Sequence, residues 1–218
     1  EVDAGSGLIT AVSAGEAVIR VAVSKGDLIL SSFASIRVAS MMDTITVDFS
    51  KTITKLFNNV WRIVSSPGYT VDEEKSCPGM QYQEGGGGFN ALQVVVRGAG
   101  GRFWPNTNNY DNPNYTMFTI MVDVPAAGYY SISLQGGKWH QGCIASVYMD
   151  DVYIGDYDFW DGDTSAAGSI VKSLGEIKRF NSVYLESGIH SISFRNRYIW
   201  NINKNNAIFL HKLFLEPL

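Results

Sequence analysis

Apolar and polar residues alternate with a period of two in short segments along this chain, and helix formers nowhere line up with a long 3.6-residue period. Near the start, Ala17-Val18-Ile19-Arg20-Val21-Ala22-Val23 and Ser35-Ile36-Arg37-Val38-Ala39 read as strands, punctuated by Gly5, Gly7, Gly15 and Gly26. Asp43-Thr44-Ile45-Thr46-Val47-Asp48-Phe49 reads as another. From residue 92 the pattern predicts strands over 92–97, 116–124, 129–134, 144–149, 152–155, 177–185, 189–195 and 207–215. Such spacing without intervening helices predicts an all-β antiparallel sandwich. Ser76 to Gly88 reads as a loop: its run Gly85-Gly86-Gly87-Gly88 is followed by neither Lys-Ser/Thr nor a helix, so it is no phosphate cradle.

The loop lengths point to one end of that sandwich. If consecutive strands run antiparallel, successive loops leave from alternate ends. The short loops 125–128, 150–151 and 186–188 then share one end, and the long loops 98–115, 135–143, 156–176 and 196–206 share the other. A sandwich with its long loops gathered at one end presents a binding surface there. These loops hold four of the five tryptophans, Trp104, Trp139, Trp160 and Trp200, with Phe103, Tyr110, Tyr115, His140, Tyr157, Phe159 and Tyr198. Asn106, Asn108, Asn109, Asn112, Asn114, Asn201, Asn203, Asn205 and Asn206 are interleaved with them. Sugars need this mixture, because their C–H faces stack on aromatic rings and their hydroxyls take amide and carboxylate partners. Trp104, Trp139 and Trp200 sit beside polar or turn residues and read as exposed platforms, whereas Phe103, Tyr157 and Phe159 read as packed rings.

Composition narrows the classes. The 218 residues carry a formal charge of −4, which leaves no basic footprint for nucleic acid. A hydrophobic fraction of 45% with only 17% charged residues supports a packed core. No apolar run reaches the ~18 residues of a membrane helix. The chain opens inside a strand-like pattern without a signal peptide, which predicts that it is a piece of something longer.

Two resemblances bear on organisation. Gly7-Leu8-Ile9-Thr10-Ala11-Val12-Ser13-Ala14-Gly15-Glu16-Ala17, followed by the Ser35-to-Val38 strand, resembles the late part of a bacterial Ig-like domain of group 2. The first half of that domain has no counterpart, which implies a C-terminal Ig-like remnant over residues 1–41. Ala127-Gly128-Tyr129-Tyr130-Ser131-Ile132-Ser133-Leu134, Ser146-Val147-Tyr148-Met149-Asp150-Asp151-Val152 and Leu185-Glu186-Ser187-Gly188-Ile189-His190-Ser191-Ile192 resemble β-jelly-roll carbohydrate-binding modules of the family 6 and 35 type. This resemblance covers roughly residues 92–218 and implies a jelly-roll module over 42–218. It also implies a glycan site at the loop end, with an asparagine just before the last strand, where Asn205 and Asn206 stand. The chain departs from the pattern at Asp151, where the family usually has glycine, and in lacking a clear N-terminal acidic calcium signature.

Other chemistry is sparse. Asp156, Asp158, Asp161 and Asp163 cluster densely enough to suggest a structural calcium ion, although their spacing is not that of an EF-hand; a solvated acidic turn is the competing reading. Of the three histidines, His190 reads as a satisfied core residue, His211 lies in a strand, and only His140 falls in a binding loop. No G-x-S-x-G or H-E-x-x-H motif occurs. Cys77 and Cys143 allow one disulfide or two thiols.

These readings converge on a non-catalytic module that binds a polysaccharide or oligosaccharide through Trp104, Tyr110, Trp139, His140, Trp160, Trp200, Asn203, Asn205 and Asn206. It would be secreted or cell-surface, covalently linked to further Ig-like or catalytic domains, and would target an attached glycan-degrading enzyme to its substrate. The alternatives are an adhesin module with a protein partner, or a catalytic sandwich such as a lyase, for which Tyr110 and His140 are the pair to inspect. The Asn-rich loops fit neutral sugars, while Arg97, Arg102, Lys138, Arg195 and Arg197 near the loop bases leave acidic polysaccharides open.

Overall fold

The computed structural model describes residues 15–38, 43–58, 60–76, 80–84, 89–96, 116–140, 142–162, 173–199 and 206–218. Trp104, Tyr110, Asp163, Trp200, Asn203, Asn205 and Cys77 lie outside them. The chain divides into two compact units, Glu1–Met42 and Asp43–Leu218.

In the first unit the alternating segments pair as a hairpin of β1 (Gly15–Lys25) and β2 (Leu28–Val38), in register from Gly15 opposite Val38 to Lys25 opposite Leu28. Gly26 takes the left-handed φ of 59° that the tight turn requires. Val21, Val23 and Leu30 share one face of the hairpin and are 60–65% exposed.

The second unit runs β3 (Ile45–Asp48), a 3-10 turn (Phe49–Lys51), β4 (Ile53–Phe57), β5 (Val60–Ser65), β6 (Thr70–Val71), β7 (Met80–Glu84), β8 (Leu92–Val96), β9 (Thr116–Val124), β10 (Gly128–Lys138), β11 (Cys143–Met149), β12 (Val152–Asp158), β13 (Ser173–Leu174), β14 (Lys178–Arg179), β15 (Val183–Leu185), β16 (Gly188–Ile199) and β17 (Asn206–Pro217). β4 and β5 form a separate hairpin, on which Trp61 is half-buried opposite Leu56. The remaining strands make two antiparallel sheets. One has the order β13-β10-β17-β8-β7, with β14 and β15 also against β10 and β3 against β17; the other has the order β12-β11-β16-β9-β6.

The short β13, β14 and β15 all lie along β10 and act as one interrupted strand. The path from β8 to β17 then alternates between β8-β17-β10-β13/15 and β9-β16-β11-β12. That order is a jelly roll. The period-two apolar positions meet between the sheets. Leu92, Val94, Tyr130, Ile132, Leu134, Leu213 and Leu215 of one sheet, and Phe118, Ile120, Ala145, Val147, Ile192 and Phe194 of the other, are fully buried.

Several boundaries differ from the sequence expectation: the strand expected over 177–185 is broken into β14 and β15, that over 189–195 continues to Ile199, and the expected loop 76–88 contains β7. The strand ending near Leu134 continues to Lys138, so the connection to β11 is residues 139–142 and not 135–143. Gly136 and Gly137 are strand residues, and a Cβ on Gly136 would sit 2.6 Å from the Phe159 ring and 2.8 Å from the Phe209 carbonyl oxygen. The role of Gly136 is close packing, which local sequence does not distinguish from flexibility. Likewise β12 extends to Asp158, which takes Asp156 and Asp158 out of the predicted acidic loop and into a strand.

Candidate functional site

The register of the strands fixes which connections share an end. At one end Val96 pairs with Asn206, Thr116 with Arg195, Cys143 with Ile199, and Ile144 with Asp158. Backbone bridges join Trp139 to Trp160 and Gly142 to Ala207. The strand ends that flank 97–115, 139–142, 159–172 and 200–205 therefore converge there. At the opposite end Val124 pairs with Gly188, Gly128 with Leu185, and the Asp150 amide donates to the Ser191 carbonyl (2.9 Å).

At the long-connection end, Trp139 is a prop and not a platform. It is 7% exposed, its ring meets Phe209 edge-on at 5.2 Å and His140 at 4.6 Å, and its amide donates to the Phe159 carbonyl (2.9 Å). His140 is 5% exposed. The expectation that these two residues face a ligand is corrected: Gly136, Gly142 and the Phe159 and Phe209 rings let the 139–142 connection fold tightly against the sandwich. A Cβ on Gly142 would lie 2.0 Å from the Phe159 carbonyl oxygen, so the chain closes there only with glycine. Trp160 is half-buried, its amide held by Asp158 Oδ1 at 2.9 Å. Asn206 heads β17 opposite Val96.

Beside Trp160 lies a cleft of about 430 Å³ lined by Lys138, Tyr157, Asp158, Glu176, Ile177 and Lys178. Lys138 Nζ donates to the Asp158 carbonyl and stands 5.6 Å from the centre of the Tyr157 ring. The buried Tyr157 hydroxyl accepts from the Gly136 amide (2.9 Å) and reaches the Glu176 carbonyl (3.2 Å). Burial pushes its pKa up, opposed by the Gly136 hydrogen bond, so it is a structural phenol at neutral pH. The cleft thus combines two ammonium groups, two carboxylates and an isoleucine that is 57% exposed. The sequence pattern singles out Lys138 but not Glu176, Ile177 and Lys178, because 177–185 reads as one continuous strand where the structure breaks it into β14 and β15.

The acidic cluster does not assemble as a calcium site among the described residues. Asp156 accepts from Ser146 Oγ (2.7 Å) and pairs with Arg197, while Asp158 Oδ1 is taken by the Trp160 amide. No group of three or more His, Cys, Asp or Glu side chains that could hold a metal ion occurs among the described residues. The strand geometry of β12 sets Asp156 and Asp158 side by side along a sheet, each with its own partner, where a calcium ion needs oxygens converging on one point. Cys143 is a free buried thiol, its Sγ 3.8 Å from Met117 Sδ, and burial pushes its pKa up to about 12.

At the opposite end, His190 Nδ1 lies 2.5 Å from Asp150 Oδ2 and its Nε2 lies 2.8 Å from the Glu186 carbonyl. His190 is therefore satisfied, at the rim of the core. Among the described residues no helix is long and apolar enough to cross a membrane.

No protein-family model matches the sequence, and no curated protein matches it. Among solved structures it is similar to a GH26-CBM35 β-(1,4)-mannanase of Podospora anserina, at 15% identity over 80% of this chain and 28% of that one, with a TM-score of 0.38. It is also similar to the C-terminal CBM6 of the Zobellia galactanivorans laminarinase LamC (8% identity, 80% and 99% of the two chains, TM-score 0.37). A third likeness is to a family 35 carbohydrate-binding module from Clostridium thermocellum (15% identity, 79% and 92%, TM-score 0.29). The chain spans 28% of the mannanase's length. The strand order above, and not these likenesses, carries the fold.

Proposed function

We propose that residues 43–218 bind a polysaccharide or oligosaccharide at the long-connection end of the jelly roll, without turning it over. The observation that carries this reading is the convergence of strand ends flanking 97–115, 159–172 and 200–205, since those segments hold most of the loop aromatics and asparagines. Trp160 and the adjoining cleft lie at the same end. In this reading Trp160, Trp104, Tyr110 and Trp200 supply stacking faces, while Asn203, Asn205 and Asn206 supply donors and acceptors for hydroxyls. Trp139 and His140 hold the platform from beneath. The asparagines favour neutral sugars, and the Lys138 ammonium is held by the Asp158 backbone carbonyl.

Binding of this kind raises the local concentration of any enzyme joined to the module on its substrate; that targeting role, and secretion with it, belong to the same proposal. A glycan array with the whole chain, followed by titration calorimetry of parent, Trp160→Ala and Trp200→Ala, tests it. Each substitution should weaken binding several-fold, as truncation of a desolvated ring costs more than about 1 kcal/mol. Capture of no glycan, or of a protein partner alone, would sink the reading, and product formation in a turnover assay would turn it into an enzyme.

A further inference from the structure

Among the described residues, β4 and β5 form a two-stranded sheet of their own, hydrogen-bonded to neither sheet of the sandwich. A hairpin of two strands is marginally stable in water and gains its stability by leaning apolar residues on a neighbour. Here many of them stay in solvent. Leu56 and Phe57, beside the turn that Asn58 makes with a left-handed φ of 48°, are 53% and 49% exposed. Ile53 and Val64, nearer the base, are 52% and 44% exposed. Side chains alternate across the hairpin, so Leu56 and its cross-strand partner Trp61 lie on one face, and Lys55, Phe57 and Arg62 on the other.

The charge of this segment is one-sided. It holds Lys51, Lys55 and Arg62, and no aspartate or glutamate occurs from Phe49 to Val71, in a chain whose net charge is −4. Lys55 and Arg62 stand directly opposite each other, a like-charge placement that works against the hairpin. Arg62 donates two hydrogen bonds to Glu73, at 3.0 and 3.1 Å, in a solvent-exposed pair that adds little to folding. Lys55 has no such partner among the described residues. Stability therefore explains neither the bare apolar tip nor the cation behind it.

Together these groups suit a bilayer surface. Leucine and phenylalanine at the tip of a narrow finger match the boundary between headgroups and acyl chains, and tryptophan favours that boundary because its ring is apolar and its N–H polar. Lys55 lies two residues behind Phe57 on the same face, about 6.8 Å away, so its stem runs along the apolar depth while its ammonium reaches lipid phosphate. With no carboxylate over residues 49–71, nothing in the segment repels an anionic surface, whereas a protein partner would present charges of both signs. Such docking lies on a membrane and needs no spanning helix.

We propose that the β4–β5 hairpin docks this protein on anionic phospholipid bilayers, with Leu56 and Phe57 entering the interface, Trp61 at its level and Lys55 on the lipid phosphates. The whole chain and its Leu56→Ser/Phe57→Ser and Lys55→Gln variants are sedimented with sucrose-loaded vesicles, either of pure phosphatidylcholine or containing about 30% phosphatidylglycerol, with melting curves alongside. The parent should bind the anionic vesicles at least about tenfold more tightly than the neutral ones. The double substitution should weaken that binding by at least about tenfold. Lys55→Gln should weaken it about fivefold, the share of one cation near an anionic surface. All three proteins should melt alike. A parent that pellets with neither vesicle, or equally with both, overturns the proposal, and so does a folded double variant that binds like the parent. If the double substitution turns a dimer of the free protein into a monomer while vesicle binding stays unchanged, the hairpin is a contact between copies and the lipid site falls. Should the double variant lose its fold, Lys55→Gln decides alone, and binding equal to the parent's overturns the proposal.

Discussion

Gly142 shows how one residue sets the candidate site. A methyl carbon at this position would lie 2.0 Å from the Phe159 carbonyl oxygen, so Gly142→Ala has to push apart two backbone segments. It should cost about 1–3 kcal/mol, the usual scale of overpacking, visible as a lower melting temperature. A melting curve matching the parent would mean that the 139–142 connection is looser than described. The two tryptophans beside it divide the same way. Trp139→Ala removes a buried ring and should cost about 3–5 kcal/mol of stability, whereas Trp160→Ala should cost affinity with little loss of stability. A stable Trp139→Ala protein with impaired binding would return Trp139 to the ligand surface.

His190 and Asp150 make stability depend on pH. Burial opposes the charge on His190, but its hydrogen bonds to Asp150 and the Glu186 carbonyl, with the charges of both residues, outweigh this and raise its pKa above the ordinary 6.5. Burial likewise opposes ionisation of Asp150, and His190 and the Ser191 amide outweigh it, holding its pKa below 3.8. A raised histidine contributes fully below 6.5, and that contribution is lost as pH climbs through the folded-state value. A depressed carboxylate contributes fully above 3.8, and its share is lost as pH falls through the lower folded value. Thermal melts from about pH 5 to about pH 9 should therefore show the parent losing stability on the alkaline side relative to His190→Gln. Parallel profiles would detach the histidine from folding.

At the scale of elements, the β11–β12 turn joins this pair to the outer sheet face. Asp150 and Asp151 both take left-handed φ angles, 47° and 65°, which glycine adopts without cost. The two positions should respond differently. Asp151→Gly relieves backbone strain worth up to about 1 kcal/mol and gives up one exposed pair with Arg195, so stability should barely move. Asp150→Gly relieves the same strain but removes the acceptor for the Ser191 amide (2.8 Å) and the partner of His190, and should lower the melting temperature clearly. Equal effects at the two positions would show that the carboxylate of Asp150 contributes nothing to the turn.

At the scale of the molecule, the second unit contains the whole jelly-roll strand order and its buried core within residues 43–218. A fragment beginning at Asp43 should fold, melt cooperatively and bind the same array hit as the full chain. Loss of the sharp transition in that fragment would place residues 1–42 within the same folding unit.

The period-two alternation of Tyr130, Ile132 and Leu134, or of Ile192 and Phe194, determined the fold class, because one face of each long strand had to be apolar to pack a sandwich. Loop parity followed from the same strands, since alternating directions leave no other choice of ends. Tertiary structure alone decided which rings are buried. Trp139 has polar and glycine neighbours in sequence, yet Phe209 and Phe159 reach it from segments distant in the chain. It also decided that Asp156 pairs with Arg197, and that Tyr148, Tyr153 and Arg195 share one face. Spacing along a strand reports which side a residue faces. What it meets there depends on register with strands up to tens of residues away, and only the folded chain sets that register.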